Sequence, residues 1–439
     1  MTTETAALPA HISKTISALF DLYKRDDRPW VVAFSGGKDS TLVLQLVYEL
    51  LQELGPQARK PVYVVSSDTG VEAPNVSAYL ARTLKLIEDG VKQANFQLSV
   101  DLVKPAPHET FWAKLIGAGY PSPTRWFRWC TTNMKIRPSR RVIEAITREH
   151  GSVILLLGTR IDESSERGRR IQAREITEDG LNPHHEIPNA LVATPIVGWT
   201  TEQVWEYLFT HNPPPWGGSH DFLLDLYRQA AGGECPVVFD LSTPSCGGSR
   251  FGCWTCTVVK EDKSMQGFIQ SGEKSFAPLN DFRDRLKAVR ELEEWRNPHK
   301  KDGSPGPGPF RQEKRVQLLR ELLELELQVG ELLISDEEIS AIQDAWTVEF
   351  DLNQTALKVA AEFGRQMNTI KSLEHPALEQ QVLDEMLADS GMEPDLVDRL
   401  LTLAFKEYPD LSIYGSKSHF QQDIAQAVAA SVEREGDQA

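Results

Sequence analysis

The chain has 439 residues, 63 acidic and 47 basic side chains and a formal net charge of -16, with 41% hydrophobic and 25% charged residues. That length calls for two or three domains, and the composition excludes wholesale disorder and a collagen-like fibre. The longest apolar runs, such as residues 153–157, are far too short to cross a bilayer, so no membrane partner is expected.

Five cysteines are too few for a disulfide scaffold. The N-terminus lacks a basic start followed by an apolar core, so no secretory signal is expected. Reduced thiols in a cytoplasmic protein, used for metal or for chemistry, are the expectation.

The charge is unevenly spread. Residues 331–439 contain 22 acidic and 7 basic side chains, a balance of -15, which leaves the first 330 residues at -1. Within that nearly neutral body, residues 110–143 carry Lys114, Arg125, Arg128, Lys135, Arg137, Arg140 and Arg141 and no acid. An anionic partner fits this patch, although the total charge argues the other way.

In chain order, residues 30–34 (WVVAF) read as a buried strand, 35–38 as a loop and 41–54 as a helix. A second strand at 61–65 ends in Ser66-Ser67-Asp68. A helix at 74–87, a strand at 96–103, a helix at 139–149 and a strand at 152–157 follow, then a strand near 193–197. Strands alternating with helices predict an α/β fold, a doubly wound and mostly parallel sheet, with ligands beyond the carboxyl ends of its strands.

Thr200 with Gln203, and later Ser335 with Glu338, form capping boxes that start helices. Residues 211–218 (HNPPPWGG) break the pattern. Residues 235–256 are rich in Cys, Gly, Ser and Pro without periodicity, so a metal is expected to order them. Residues 297–310 read as a Pro/Gly linker and 311–439 as an acidic helical region. The expected division is 1–210, an ATP-binding domain; 211–296, a cysteine-rich segment packed on it; the linker; and the helical C-terminal region.

Ser35-Gly36-Gly37-Lys38-Asp39-Ser40 stands between a buried strand and a helix. Its glycines expose backbone amides, the helix start adds a positive dipole end, and Lys38 adds charge: a phosphate cradle without the Walker A spacing. Asp68, at a strand end, is a candidate for ribose, adenine or a metal-bound phosphate, or else a turn cap. After the fourth strand come Gly158, Arg160, Glu163 and Arg167, where two arginines could clamp an anion and Glu163 could orient one of them. Trp126, Phe127 and Trp129 interleave with Arg125 and Arg128, a mixture suited to a nucleic-acid backbone and splayed bases.

Cys235, Cys246, Cys253 and Cys256 are spaced C-x10-C-x6-C-x2-C. Four thiolates in 22 residues imply tetrahedral zinc or an iron–sulfur cluster, and ligand count does not separate the two. Cys130 is left over, as a sulfur relay, an exchanged ligand or a structural thiol. Arg128 and Lys135 beside it are expected to lower its pKa.

The Ser-Gly-Gly-Lys-Asp-Ser loop resembles the signature of the PP-loop ATP pyrophosphatases, adenine nucleotide alpha-hydrolase-like enzymes that split ATP between its α and β phosphates. The 158–167 segment and Arg128-Trp129-Cys130-Thr131 with Lys135-Ile136 and Pro138 resemble the PAPS reductase branch of that superfamily. Taken in order with PIVGWTTEQVWEYL (195–208) and GGECPVVFDLSTPSCGGSRFGCWTCTVV (232–259), they resemble the DndC family, the sulfurtransferases of bacterial DNA phosphorothioation.

That resemblance covers about residues 33–290. It implies ATP pyrophosphatase activity with Mg²⁺, a [4Fe-4S] cluster on Cys235, Cys246, Cys253 and Cys256, DNA as substrate, sulfur from a cysteine desulfurase and other Dnd-system proteins as partners. It implies catalytic roles for Lys38, Cys130, Arg160 and Arg167, with Ser35, Gly36, Gly37, Lys38, Asp39, Ser40, Asp68, Gly158, Arg160 and Glu163 binding the nucleotide. The PAPS reductases end in Glu-Cys-Gly-Leu-His where this chain reads Glu-Gly-Asp-Gln-Ala, which disfavours that activity. The same motifs also fit a tRNA-thiolating enzyme or a non-catalytic Fe–S DNA-binding module.

Overall fold

The structure is a computed structural model that describes residues 8–94, 96–163, 181–184, 186–231, 251–300, 304–349, 351 and 354–367, with 396, 400, 403 and 420–425 beyond them. Cys235, Cys246, Arg167 and the side chain of Glu163 lie outside the described residues. The chain forms two compact units: residues 1–106 with 123–283, and residues 107–122 with 284–439.

Among the described residues the first unit is built on six strands: β1 (Trp30–Ala33), β2 (Val62–Ser67), β3 (Leu98–Val103), β4 (Val153–Leu156), β5 (Asn182–Pro183) and β6 (Ala190–Ala193). They lie in the order β3-β2-β1-β4-β6-β5. Every pairing is parallel except β5 with β6, where two residues run antiparallel at the edge. The α/β expectation therefore holds, and the sheet order reverses between β1 and β4, where open sheets of this kind bind ligands.

Side chains alternate across the sheet with period two. Trp30, Val32, Val62, Val64, Ile154 and Leu156 pack on one face. That face is covered by α1 (Ala10–Arg25), α2 (Lys38–Leu54), α3 (Pro74–Ala94), α5 (Thr201–Thr210) and α6 (Asp221–Ala230). Val31, Val65, Val153 and Leu155 face the other way against Ile146 of α4 (Arg137–His150). Both faces of each central strand are buried, which explains why these strands read as continuous apolar runs.

Several boundaries differ from the sequence expectation. The strand expected near 193–197 is β6, ending at Ala193, because residues 194–199 turn back through Val197 N–H to Thr194 O and Trp199 N–H to Ile196 O. A widened helical turn, Thr132–Ile136, precedes α4. Both capping boxes form, at Thr200 before α5 and at Ser335.

In the second unit, α8 (Gln312–Val329), α9 (Asp336–Val348) and α10 (Thr355–Glu362) follow α7 (Lys263–Gln270) of the first. Residues 107–122 form part of its core. Trp112 Nε1 donates to Leu333 O at 2.7 Å, Trp346 Nε1 to Ile116 O at 3.0 Å and Arg315 Nη1 to Gly117 O at 2.6 Å. The 297–310 linker expectation is corrected: Asn297 N–H bonds to Pro309 O, Gly308 N–H to Asn297 O, and Phe310 is fully buried. A Cβ on Gly308 would lie 1.8 Å from His299 O, so this glycine serves close backbone approach rather than flexibility. Among the described residues no helix is long and apolar enough to cross a membrane.

Candidate nucleotide and thiol site

A cavity of about 900 Å³ opens in the first unit where the sheet order reverses. Ser35, Gly37, Lys38, Asp39 and Ser40 line it from the β1–α2 loop, and Gly158, Thr159, Arg160 and Asp162 line it from the segment after β4. The loop is preformed. Gly36 has φ +72°, and a Cβ there would also lie 3.1 Å from Leu80. Ser35 N–H donates to Ser40 Oγ at 3.2 Å, and Ser40 Oγ donates to Gly37 O at 2.9 Å.

Among the described residues no side chain caps α2, whose first residues line the cavity, and Lys38 N–H meets the Tyr227 hydroxyl at 3.4 Å. Open helix-start amides beside the Lys38 ammonium suit phosphate. Thr159 Oγ1, buried in the same wall, has no hydrogen-bond partner among the described residues.

Gly158 and Arg160 join the two loops. A Cβ on Gly158 would lie 2.9 Å from the Asp39 carbonyl, so only glycine permits this contact. The anion clamp expected of Arg160 is corrected, because its guanidinium is 1% exposed. It donates to Asp39 Oδ1 at 2.7 Å, Trp199 O at 3.0 Å and Thr201 Oγ1 at 3.1 Å. All three donor nitrogens already have protein acceptors, which makes it a brace between the loop, the 158–162 segment and the start of α5. Asp39 also receives Lys38 Nζ at 3.0 Å.

Asp68 caps a turn, accepting from Gly70 N–H at 2.9 Å, and pairs with Lys104 Nζ at 3.2 Å. The carboxylate that this loop sends to the cavity wall is Glu72, which sequence reading missed. Glu72 accepts from Thr69 Oγ1 at 2.6 Å and forms a β-bridge with Cys253. Asp162 and Glu202 are the other acids on the wall besides Asp39, and Lys135 and Ser139 line it from the opposite side of the sheet.

The β-bridge brings the cysteine loop to the cavity edge. Trp254 N–H donates to Val71 O at 2.9 Å and Cys256 N–H to Cys253 O at 3.0 Å, a tight turn carrying both CxxC thiols. Cys253 Sγ lies 3.5 Å from Thr69 Oγ1. Burial pushes its thiol up to about 12, with Lys135 pulling the other way. Burial raises Cys130 too, and a charge on Cys256 raises it further, so the two thiols lie within electrostatic reach of each other. The expectation that Arg128 and Lys135 depress Cys130 is corrected: desolvation outweighs Arg128, and Lys135 acts on Cys253.

Protein contacts hold the described part of this loop as well. Arg283, 1% exposed, donates to Cys256 O at 2.8 Å and Lys260 O at 3.1 Å, and also to Val259 O. Thr257 Oγ1 donates to Pro123 O at 2.7 Å. Among the described residues no group of three or more His, Cys, Asp or Glu is arranged to hold a metal ion. The donor set still fits a soft metal, because two thiols share one turn, a third lies within their electrostatic reach, and these three are free among the described residues.

The profile of the phosphoadenosine phosphosulfate reductase domain matches residues 29–259, more than half of the chain. An uncharacterised protein of Methanocaldococcus jannaschii is 30% identical over 199 residues, 45% of this chain and 35% of the relative. The chain thus spans about a third of the length of the curated relative it matches. Among solved structures, phosphoadenylyl-sulfate reductase of Candida auris in a phosphate complex is 16% identical with a TM-score of 0.30, over 45% of this chain and 79% of that one. The U34-tRNA thiolase NcsA of Methanococcus maripaludis with its [4Fe-4S] cluster is 13% identical with a TM-score of 0.30, over 64% and 82%.

Proposed function

This chain belongs to the phosphoadenosine phosphosulfate reductase domain family, and from that membership and the cavity we propose that it is an ATP pyrophosphatase and sulfurtransferase that activates a DNA backbone phosphate for replacement of oxygen by sulfur. The observation that carries the reading is the start of α2, uncapped among the described residues, beside Lys38, with the thiol loop bridged to Glu72 on the same cavity.

A non-bridging oxygen of the DNA phosphate attacks the α-phosphorus of ATP, and pyrophosphate leaves. Sulfur at the oxidation level of sulfide then attacks the DNA phosphorus, and AMP leaves with the oxygen. Lys38 and the α2 amides neutralise the phosphates, and Arg160 keeps the loop in place. Glu72, Asp162 and Glu202 on the cavity wall would offer carboxylates to a Mg²⁺ bound with the phosphates.

Cys253 and Cys256, with Cys235 and Cys246 outside the described residues, would hold a [4Fe-4S] cluster. Bound there, it supplies thiolate-ligated iron, which accepts soft sulfur ligands. Cys130 is the thiol through which sulfur from a cysteine desulfurase passes as a persulfide, and a dithiol reductant then releases that sulfur at the level of sulfide, becoming a disulfide itself and leaving Cys130 as the thiol. The exposed Arg125, Trp126, Phe127, Arg128, Lys135 and Arg137 offer DNA a basic and aromatic surface.

The test is twofold. Purified protein with ATP, DNA and a sulfide donor should release AMP and pyrophosphate, and Lys38→Ala should lower that release by orders of magnitude with the fold intact. DNA from cells with the gene should contain phosphorothioate linkages that cells without it lack. ADP and phosphate as products would overturn the cleavage reading. Sulfur appearing in tRNA, with none in DNA, would replace DNA by tRNA as substrate.

A further inference from the structure

Tyr227 of α6 has no counterpart in the motif reading, yet it lines the nucleotide cavity 189 residues away from the loop that it touches. Its side chain is 5% exposed. Trp205 at 5.1 Å and Phe251 at 4.6 Å grip the ring edge-on, and the Lys38 ammonium lies 5.5 Å from the ring centroid. The hydroxyl accepts from Lys38 N–H at 3.4 Å, a long bond, and a Cβ placed on Gly37 would lie 3.5 Å from that oxygen. A phenol has one proton to donate. Among the described residues that proton has no acceptor.

Resting on the nucleotide reading above, we infer that Tyr227 is a phosphate ligand of the bound nucleotide, its hydroxyl donating to the same phosphate oxygens that the Lys38 amide and ammonium attract. The anchored ring fixes where the hydroxyl stands, so the donor is positioned before the ligand arrives. Burial, with the nearby Asp39 carboxylate, pushes the phenol well above its ordinary pKa. It therefore keeps its proton at neutral pH and presents a donor to an anion. The Lys38–Tyr227 bond is long because both groups are aimed at a shared acceptor rather than at each other.

The test is Tyr227→Phe in the full chain, titrated calorimetrically with ATP, with pyrophosphate and with adenosine. Removing one hydrogen bond to a charged group should weaken ATP and pyrophosphate about tenfold or more. Adenosine binding and the melting temperature should not change, because the ring and its packing are kept. Equal ATP affinity in the two proteins overturns the inference. So does tighter binding by the variant, which would make the hydroxyl a competitor for the loop amide, and so does an equal loss for adenosine, which would mean a displaced ring. Wild-type protein that binds none of the three overturns the nucleotide reading itself, a result separable from any difference between the variants.

Discussion

Arg160 Nε donates to Asp39 Oδ1 across 2.7 Å from a guanidinium that is 1% exposed. The two residues belong to the loops after β4 and β1, the neighbouring strands between which the sheet order reverses. With Gly158 packed on the Asp39 carbonyl, this pair ties together the two loops that line the cavity. An arginine that reads as an anion clamp in isolation thus acts one step back, by holding the loop that carries Lys38.

Removing Arg160 leaves the partly buried Asp39 carboxylate with Lys38 alone and takes the guanidinium donors from Trp199 O and Thr201 Oγ1. Arg160→Ala should therefore cost about 3 kcal/mol of stability, the range for breaking a buried pair on one side. Arg160→Lys should recover only part of it, since a lysine has no planar fork to reach three acceptors. Denaturant unfolding of the single and double variants with Asp39→Ala checks this. Coupling near zero in that cycle would show that the brace is not a unit.

Arg283 should have its effect on the thiol loop. Arg283→Leu removes the donors to Cys256 O, Val259 O and Lys260 O, at a cost of about 3 kcal/mol if the carbonyls stay buried. The expected signature is faster alkylation of Cys253 by a small reagent, with ATP affinity within a few-fold of wild type. An unchanged alkylation rate would mean that the β-bridge to Glu72 and the Thr257–Pro123 bond hold the loop alone.

The sheet was legible because β1, β2 and β4 are short apolar runs buried on both faces, and the helix starts at Thr200 and Ser335 because a capping box is a local, four-residue device. The Ser35–Ser40 loop was legible as a turn between strand and helix for the same reason, since all its residues are consecutive. Tyr227 was not legible. It lies on the apolar stripe of α6 with Leu223, Leu226 and Ala230, where a tyrosine reads as core. Glu72 and Arg283 read as surface charges until the fold brings residue 72 to 253 and residue 283 to 256. Asp68 carried the expected motif position, but its carboxylate completes a local turn, a competition that short acidic side chains often win. Residues 297–310 misled because Pro and Gly signal both flexible chain and tight backbone crossing.

Cys130 separates two roles that sequence leaves open. As the thiol that passes sulfur, its replacement by Ser should leave protein-bound iron and ATP-dependent pyrophosphate release intact and abolish sulfur incorporation into DNA. Cys253→Ser should lose the iron, measured by absorbance near the Fe–S charge-transfer band and by iron content. Loss of iron in Cys130→Ser, with iron retained in Cys253→Ser or Cys256→Ser, would make Cys130 a ligand instead.

His220 gives the first unit a defined response to acid. The imidazole is 3% exposed, with Nε2 2.7 Å from Gln45 Oε1, so the ring is neutral with its proton toward that oxygen. Burial lowers its pKa from 6.5 to about 4, against the opposing charge of Asp221. The unfolded chain binds a proton near pH 6.5 and the folded chain does not until near 4, so stability is constant above about 6.5 and falls as pH drops between those values. A shift of this size amounts to roughly 3 kcal/mol once the window is crossed. His220→Gln keeps an N–H donor toward Gln45 and removes the titration. The difference in melting temperature between wild type and His220→Gln should therefore be steady from pH 8 to about 6.5 and move in the variant's favour from there to about 4.5. A difference that stays constant down to pH 4.5 would mean that the ring takes up its proton without cost in the folded protein.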